Sequence, residues 1–315
     1  MLCVYVQKGA HGVDDVLAQA LHGIEIGRPV SYGLLHVFPL RGGIPEEGDI
    51  SLLEDARWAE TLRIEELHGA SGVTGLRVVN EGTTRILLLE GDELVGDGQN
   101  HVVNSSVLLA ARSELVLPVS CVGRWSHRPR AFSPENGEQH LALRGLKTRS
   151  VHDSLRRGRV HRSDQRGLWR AVDHRTRLHG AASPACMLQD AGGLSQRLDP
   201  FGRLARELPQ GTSGVVVAIG ERLALLEVLA GPYTFARTFR KLLSGYAFES
   251  IGLDRPYGTP DTATVRDFIH AAAGAALEEH RPAGAGRDVQ VRAEGLSGYA
   301  LLGERGVLHA VACAG

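Results

Sequence analysis

The stretch Arg85–Trp125 reads RILLLEGDELVGDGQNHVVNSSVLLAARSELVLPVSCVGRW, and it decides the fold class. Its apolar runs are short, rich in Val and Leu, and separated by Gly, Asp and Asn, the pattern of consecutive antiparallel strands. Between those runs lies a dense set of carboxylates and amides: Glu90, Asp92, Glu93, Asp97, Gln99, Asn100 and Asn104. Strand interiors usually avoid Asp and Asn, so these residues mark turns or a polar site. Strand parity puts Asn100, Val102, Asn104 and Ser106 on one face. For Asp92 and Asp97 the simpler reading is a turn residue bonding its own backbone. Glu90, Glu93, Gln99, Asn100 and Asn104 are read as a site, because a buried amide without a partner costs ~1–3 kcal/mol.

Working outward, helical spacing appears at Val13–Ile24, and Ser31–Leu40 reads as one strand. Ser51 followed by Glu54 resembles a capping box opening a short helix. Glu138–Arg157 and Ser163–Leu178 read as helices, with Ser163 or Asp164 as a cap. A third helix is expected over Leu194–Leu208, broken near Pro200. Gly214–Leu229 is a hairpin turning at Gly220-Glu221-Arg222, echoed by Gly303-Glu304-Arg305-Gly306. Pro232–Ser250 is helical, and Thr259-Pro260 opens a helix expected to run to about Glu279. The fold class is therefore α+β. A β-sandwich-like region spans residues 1–130, a basic helical arm 131–210, and hairpins packed with two helices 211–315; the three could equally form one continuous domain.

The chain has 315 residues and a formal net charge of −1. That balance hides an asymmetry: residues 124–177 carry 14 Lys or Arg against 5 Asp or Glu, a net +9, which leaves −10 for the rest. The arm either holds an anion or acidic partner or docks on the acidic remainder of its own chain. Four scattered cysteines form no C-x-x-C pair, and no long apolar segment or leader is read, so a reducing cytoplasm is expected. No histidine spacing supports a metal site. Cys121 alternates with Leu115, Leu117 and Val119 toward the core, where a thiol is usually inert. Arg124 and Trp125, at the end of the strand series, suit a phosphate grip and a stacked base. Their plainer role is a solvated Arg beside a Trp that covers the sheet end.

Glu90–Trp125 resembles the core signature of a bacterial family, the ARG-and-rhodanese-phosphatase-superfamily-associated domain. The likeness continues through KTRSVHDSLRR (Lys147–Arg157), His161–Arg166, Trp169 and PYTFARTFRKLL (Pro232–Leu243), over residues 13–250. The chain departs from the family's pattern at Gly96-Asp97-Gly98 and His101, where the family carries a bulkier basic run. The resemblance implies a role beside ADP-ribosylglycohydrolases and phosphatase-like proteins, hence with NAD-derived or ADP-ribose-like nucleotides. It brings no settled reaction and no cofactor. The family-like pattern falls on Glu90, Glu93, Gln99, Asn100, Asn104, Ser120, Cys121, Trp125, Ser163, Asp164, Gln165 and Trp169.

The expected function is to bind or process such a nucleotide. Glu90 or Glu93 would act as general base or hold ribose hydroxyls. Gln99, Asn100, Asn104, Ser120, Trp125, Ser163, Asp164, Gln165 and Trp169 would line the ligand, and Arg124 would grip phosphate. The alternatives are a nucleic-acid-binding module using residues 124–177 and a non-catalytic oligomeric scaffold. No membrane partner is expected.

Overall fold

The computed structural model describes residues 13–69, 72–95, 100–121, 133–138, 141–178, 194–251, 253 and 258–315. The protein is α+β, its sheets are mostly antiparallel, and no closed barrel occurs among the described residues. The largest sheet runs in the order Glu25–Ile26, Leu35–Arg41, Thr212–Ile219, Arg222–Leu229, Val307–Ala314, Leu296–Leu302, Arg287–Ala293 and Ala276–His280, with Val30–Tyr32 also paired to Leu35–Arg41. The strand Leu35–Arg41 thus lies beside one that begins at residue 212. The stretches 1–130 and 211–315 share a single sheet.

Period-two alternation assigns the two faces of that sheet. Val215 and Val217 join a core with the helix Pro232–Ser250, through Phe235, Phe239, Leu242 and Tyr246. Val216 and Ala218 join the opposite core, under the helices Val13–His22 and Thr262–Ala273. A third core, with Leu76, Ile86, Leu94, Val103 and Leu117, lies between the three smaller sheets built from residues 50–138. Glu46 fixes the start of Pro232–Ser250 by accepting hydrogen bonds from the Tyr233 and Thr234 amides at 2.9 and 3.3 Å. Gly231 allows this approach: it has φ 107°, and a Cβ there would lie 2.6 Å from the Glu46 Cα.

Several boundaries differ from the sequence expectation. The segment Ala276–His280 is an edge strand paired with Arg287–Ala293, and the preceding helix ends at Ala273. Its Ala, Leu and Glu favour a helix, but the sheet edge supplies backbone partners that outweigh that weak preference. The cap of that helix is Asp261, whose carboxylate accepts the Thr264 amide at 2.8 Å, rather than Thr259. Ser51 lies in the strand Ile50–Leu52, and the short helix is Leu53–Trp58, with Asp55 accepting from the Leu52 amide. Ser31–Leu40 is a hairpin, turned at Gly33. The strand Leu62–Gly69 also lies where no element was expected.

Candidate functional site

Leu89–Asp92 forms a tight turn in which Asp92 accepts the Leu89 amide at 2.9 Å. The turn carries Glu90 into the interior, where it is 0 % exposed. Arg144 donates to Glu90 Oε2 at 2.8 Å, and Lys147 is ion-paired to Glu90 Oε1. Both cations lie on one side of the helix Leu141–Arg156. Arg144 also forks onto Glu227, its Nη1 and Nη2 donating at 2.9 and 2.7 Å. This bidentate geometry is the strongest form of such a pair. Lys147 donates further to the Val103 carbonyl at 2.6 Å. Two carboxylates and two cations therefore balance in the buried interior, the condition for burying charge at all.

Glu227 has further partners. Tyr246 donates to its Oε2, and His309 Nε2 lies 2.7 Å from its Oε1. His309 Nδ1 lies 2.6 Å from Ser106 Oγ and 2.9 Å from the Tyr299 hydroxyl. His309 thus bridges Glu227 to Ser106, whose oxygen also accepts the Glu90 amide at 2.8 Å. Burial raises the Tyr299 phenol well above its usual value, with Glu90 adding to the effect, so Tyr299 remains a donor. Burial pushes the Glu227 and Glu90 carboxyls up, but the cations outweigh it. Arg144 and then His309 hold Glu227 well below the ordinary range, and Lys147 with Arg144 does the same for Glu90.

Ser106, His309 and Glu227 thus form a chain of nucleophile, base and acid like that of a hydrolase. Its setting argues for structure. Ser106 is 4 % exposed, His309 and Glu227 are 0 %, and Arg144 already neutralises Glu227. An acyl substrate has no approach to that hydroxyl. Ser106 is accordingly expected to resist a fluorophosphonate probe in the folded protein. Labelling that vanishes in Ser106→Ala would overturn this assignment.

A second cluster gathers several of the sequence-selected residues. Asn104 donates to the His161 carbonyl at 3.1 Å and accepts from Ser120 at 2.7 Å, and Ser120 also meets the Ser163 hydroxyl. The Cys121 amide donates to Gln165 Oε1 at 2.9 Å, and Gln165 donates back to the Cys121 carbonyl. His161 completes the group through Asp288 at 2.7 Å. Asn104, Ser120, Ser163 and Gln165 therefore converge, and their hydrogen bonds clamp the arm to the strand Val119–Cys121.

Glu93 is buried on the strand Asp92–Val95, whose neighbour Asn100–Val103 begins at Asn100. Asp164 is exposed and Trp169 half-buried on or beside the helix Gln165–Leu178. Gln99, Arg124 and Trp125 lie outside the described residues. Burial raises the Cys121 thiol, with Glu66 adding to it, which leaves little thiolate for chemistry.

Solvent reaches the other side of the helix Leu141–Arg156. Leu141, Gly145 and Arg149, four residues apart, wall a cleft of about 490 Å³. His174, Arg222 and Glu249 supply its other polar side chains, and Ile219, Leu223, Leu253 and Cys313 its apolar floor. Burial pushes the Cys313 thiol to about 12, so it acts as an apolar surface. Neither Glu90 nor Glu93 is part of this wall. Sequence reading missed Glu227 and His309, although each leaves a signal: a lone acid within LALLEVL and a lone imidazole within VLHAVACA.

Among the described residues no group of three or more His, Cys, Asp or Glu is placed to hold a metal ion, and no helix is long and apolar enough to cross a membrane. No curated protein and no solved structure matches the chain. One family model does, the ARG and Rhodanese-Phosphatase-superfamily-associated Protein domain, over residues 23–313.

Proposed function

Since the chain belongs to that family over nearly its whole length, we propose that it binds an NAD-derived or ADP-ribose-like nucleotide in the cleft beside Gly145. One observation carries the reading. The cleft joins a basic wall, Arg149 and Arg222 with His174, to an aliphatic floor. Guanidinium groups suit phosphate oxygens through paired, charge-assisted hydrogen bonds, and an aliphatic floor suits the face of a base. Glu249 is the one acidic side chain in this lining. In this reading Glu90 supports the site from behind, by holding Arg144 and with it the helix that presents Arg149.

Calorimetric titration with ADP-ribose, NAD and ATP tests the proposal. At least one should bind, and Arg149→Ala and Arg222→Ala should each weaken it roughly tenfold or more, because a charge-assisted hydrogen bond contributes ~1.5–3 kcal/mol. No heat with any of the three, at protein concentrations that would report micromolar affinity, ends the proposal.

A further inference from the structure

The cleft does not end at His174. Arg166, Arg170 and His174 are exposed on the helix Gln165–Leu178. Spacing of four residues keeps them on one face, and each step advances about 6 Å along the axis. Arg162 is exposed immediately before the helix, and Arg157 and Arg159 are exposed in the link that precedes it. Among the described residues Arg157, Arg159, Arg162, Arg166 and Arg170 have no ion-pair partner, whereas Arg156 lies 3.7 Å from Glu278. Among the described residues two exposed acids, Asp153 and Asp164, interrupt the surface. Trp169 lies half-buried between Arg166 and Arg170 in sequence.

The arm therefore divides its charge. Arg144 and Lys147 go inward to Glu90 and Glu227, and a row of solvated arginines leads along one helix to the cleft mouth. A free mononucleotide has no use for that row. A strand of linked phosphates does, and an indole among the arginines can stack a base.

We infer that the cleft takes the terminal nucleotide of a single-stranded nucleic acid, whose following phosphates lie along Arg170, Arg166 and Arg162. The inference rests on the cleft reading above and names its substrate class.

Fluorescence anisotropy with a twelve-nucleotide oligo(dT) strand, labelled at one end or the other, and calorimetry with AMP and ADP-ribose test it together. The strand should bind at least tenfold tighter than AMP at about 50 mM salt. Its affinity should fall with a log–log slope near −2, as expected for about three phosphate contacts on a single strand. Arg166→Glu with Arg170→Glu should remove the strand's advantage and leave AMP binding unchanged, whereas Gly145→Leu should weaken both. Mononucleotide binding with no strand advantage overturns the inference and leaves the cleft reading standing. Strand binding indifferent to Gly145→Leu overturns both. Equal competition by heparin reduces the row to a general polyanion surface and overturns the inference alone.

Discussion

Arg144→Ala is expected to destabilise the protein by about 3–5 kcal/mol, the usual cost of leaving a buried charge without its partner. Arg144 is 1 % exposed, Glu90 and Glu227 are 0 %, and the guanidinium is shared between them. Truncation leaves Glu227 to Tyr246 and His309 and leaves Glu90 to Lys147. The measurement is the urea midpoint of the variant against the parent. A loss under 1 kcal/mol would mean that water or rearrangement reaches these carboxylates. The paired change Arg144→Met with Glu227→Leu should recover much of the loss, because exchanging a buried ion pair for apolar groups is often neutral.

The pH dependence has a definite sign. Both carboxyls lie below their ordinary values in the folded protein. Their contribution is complete above the unfolded-chain value of about 4.3 and is lost as pH falls through the lower folded values. In Arg144→Ala burial acts on Glu227 without its chief counterion, which raises its affinity for a proton. The stability gap between parent and variant should be widest near neutrality and should narrow in acid. A gap independent of pH would remove Glu227 from the explanation.

Gly145→Leu should have the opposite signature. A Cβ at this position would meet Arg149 Nη1 at 3.5 Å, Cys313 Cβ at 3.7 Å and Cys313 Sγ at 3.8 Å, all ordinary contacts. The helix gains roughly 0.5–1 kcal/mol of propensity on losing a glycine. The remaining atoms of the leucine enter the cleft between Arg149 and Cys313. Nucleotide affinity should fall about 10–100-fold, the equivalent of an overpacking cost of ~1–3 kcal/mol, while the unfolding midpoint holds or rises. Undiminished binding in a stable variant would move the ligand away from this cleft.

Local features were legible in the sequence because their causes are local. The Gly-Glu-Arg hairpins, the two helices of the arm and the start of Pro232–Ser250 follow from turn residues, periodicity and a proline at the first helical position. Of the converging residues Asn104, Ser120, Ser163 and Gln165, the first is singled out by its chemistry and strand parity and the other three by the family resemblance. What stayed hidden is long-range. Glu90 and Arg144 are 54 residues apart, and Arg144 and Glu227 are 83 apart. A net charge of +9 over residues 124–177 cannot tell which cations turn inward. Ala276–His280 failed for a related reason: its helix-favouring letters are overruled by a sheet edge contributed from residues 287–293.

The pairing of Leu35–Arg41 with Thr212–Ile219 has a consequence for biogenesis. The apolar run LHVFPL leaves the ribosome long before its partner exists. At ~5–20 residues per second, some 170 residues of delay is roughly 10–35 s of waiting. During that interval the nascent hairpin, closed on one side by Val30–Tyr32, presents one open strand edge, a substrate for chaperones and a seed for misassembly. Yield in cells should therefore follow translation speed and chaperone supply more closely than the equilibrium stability of the finished molecule.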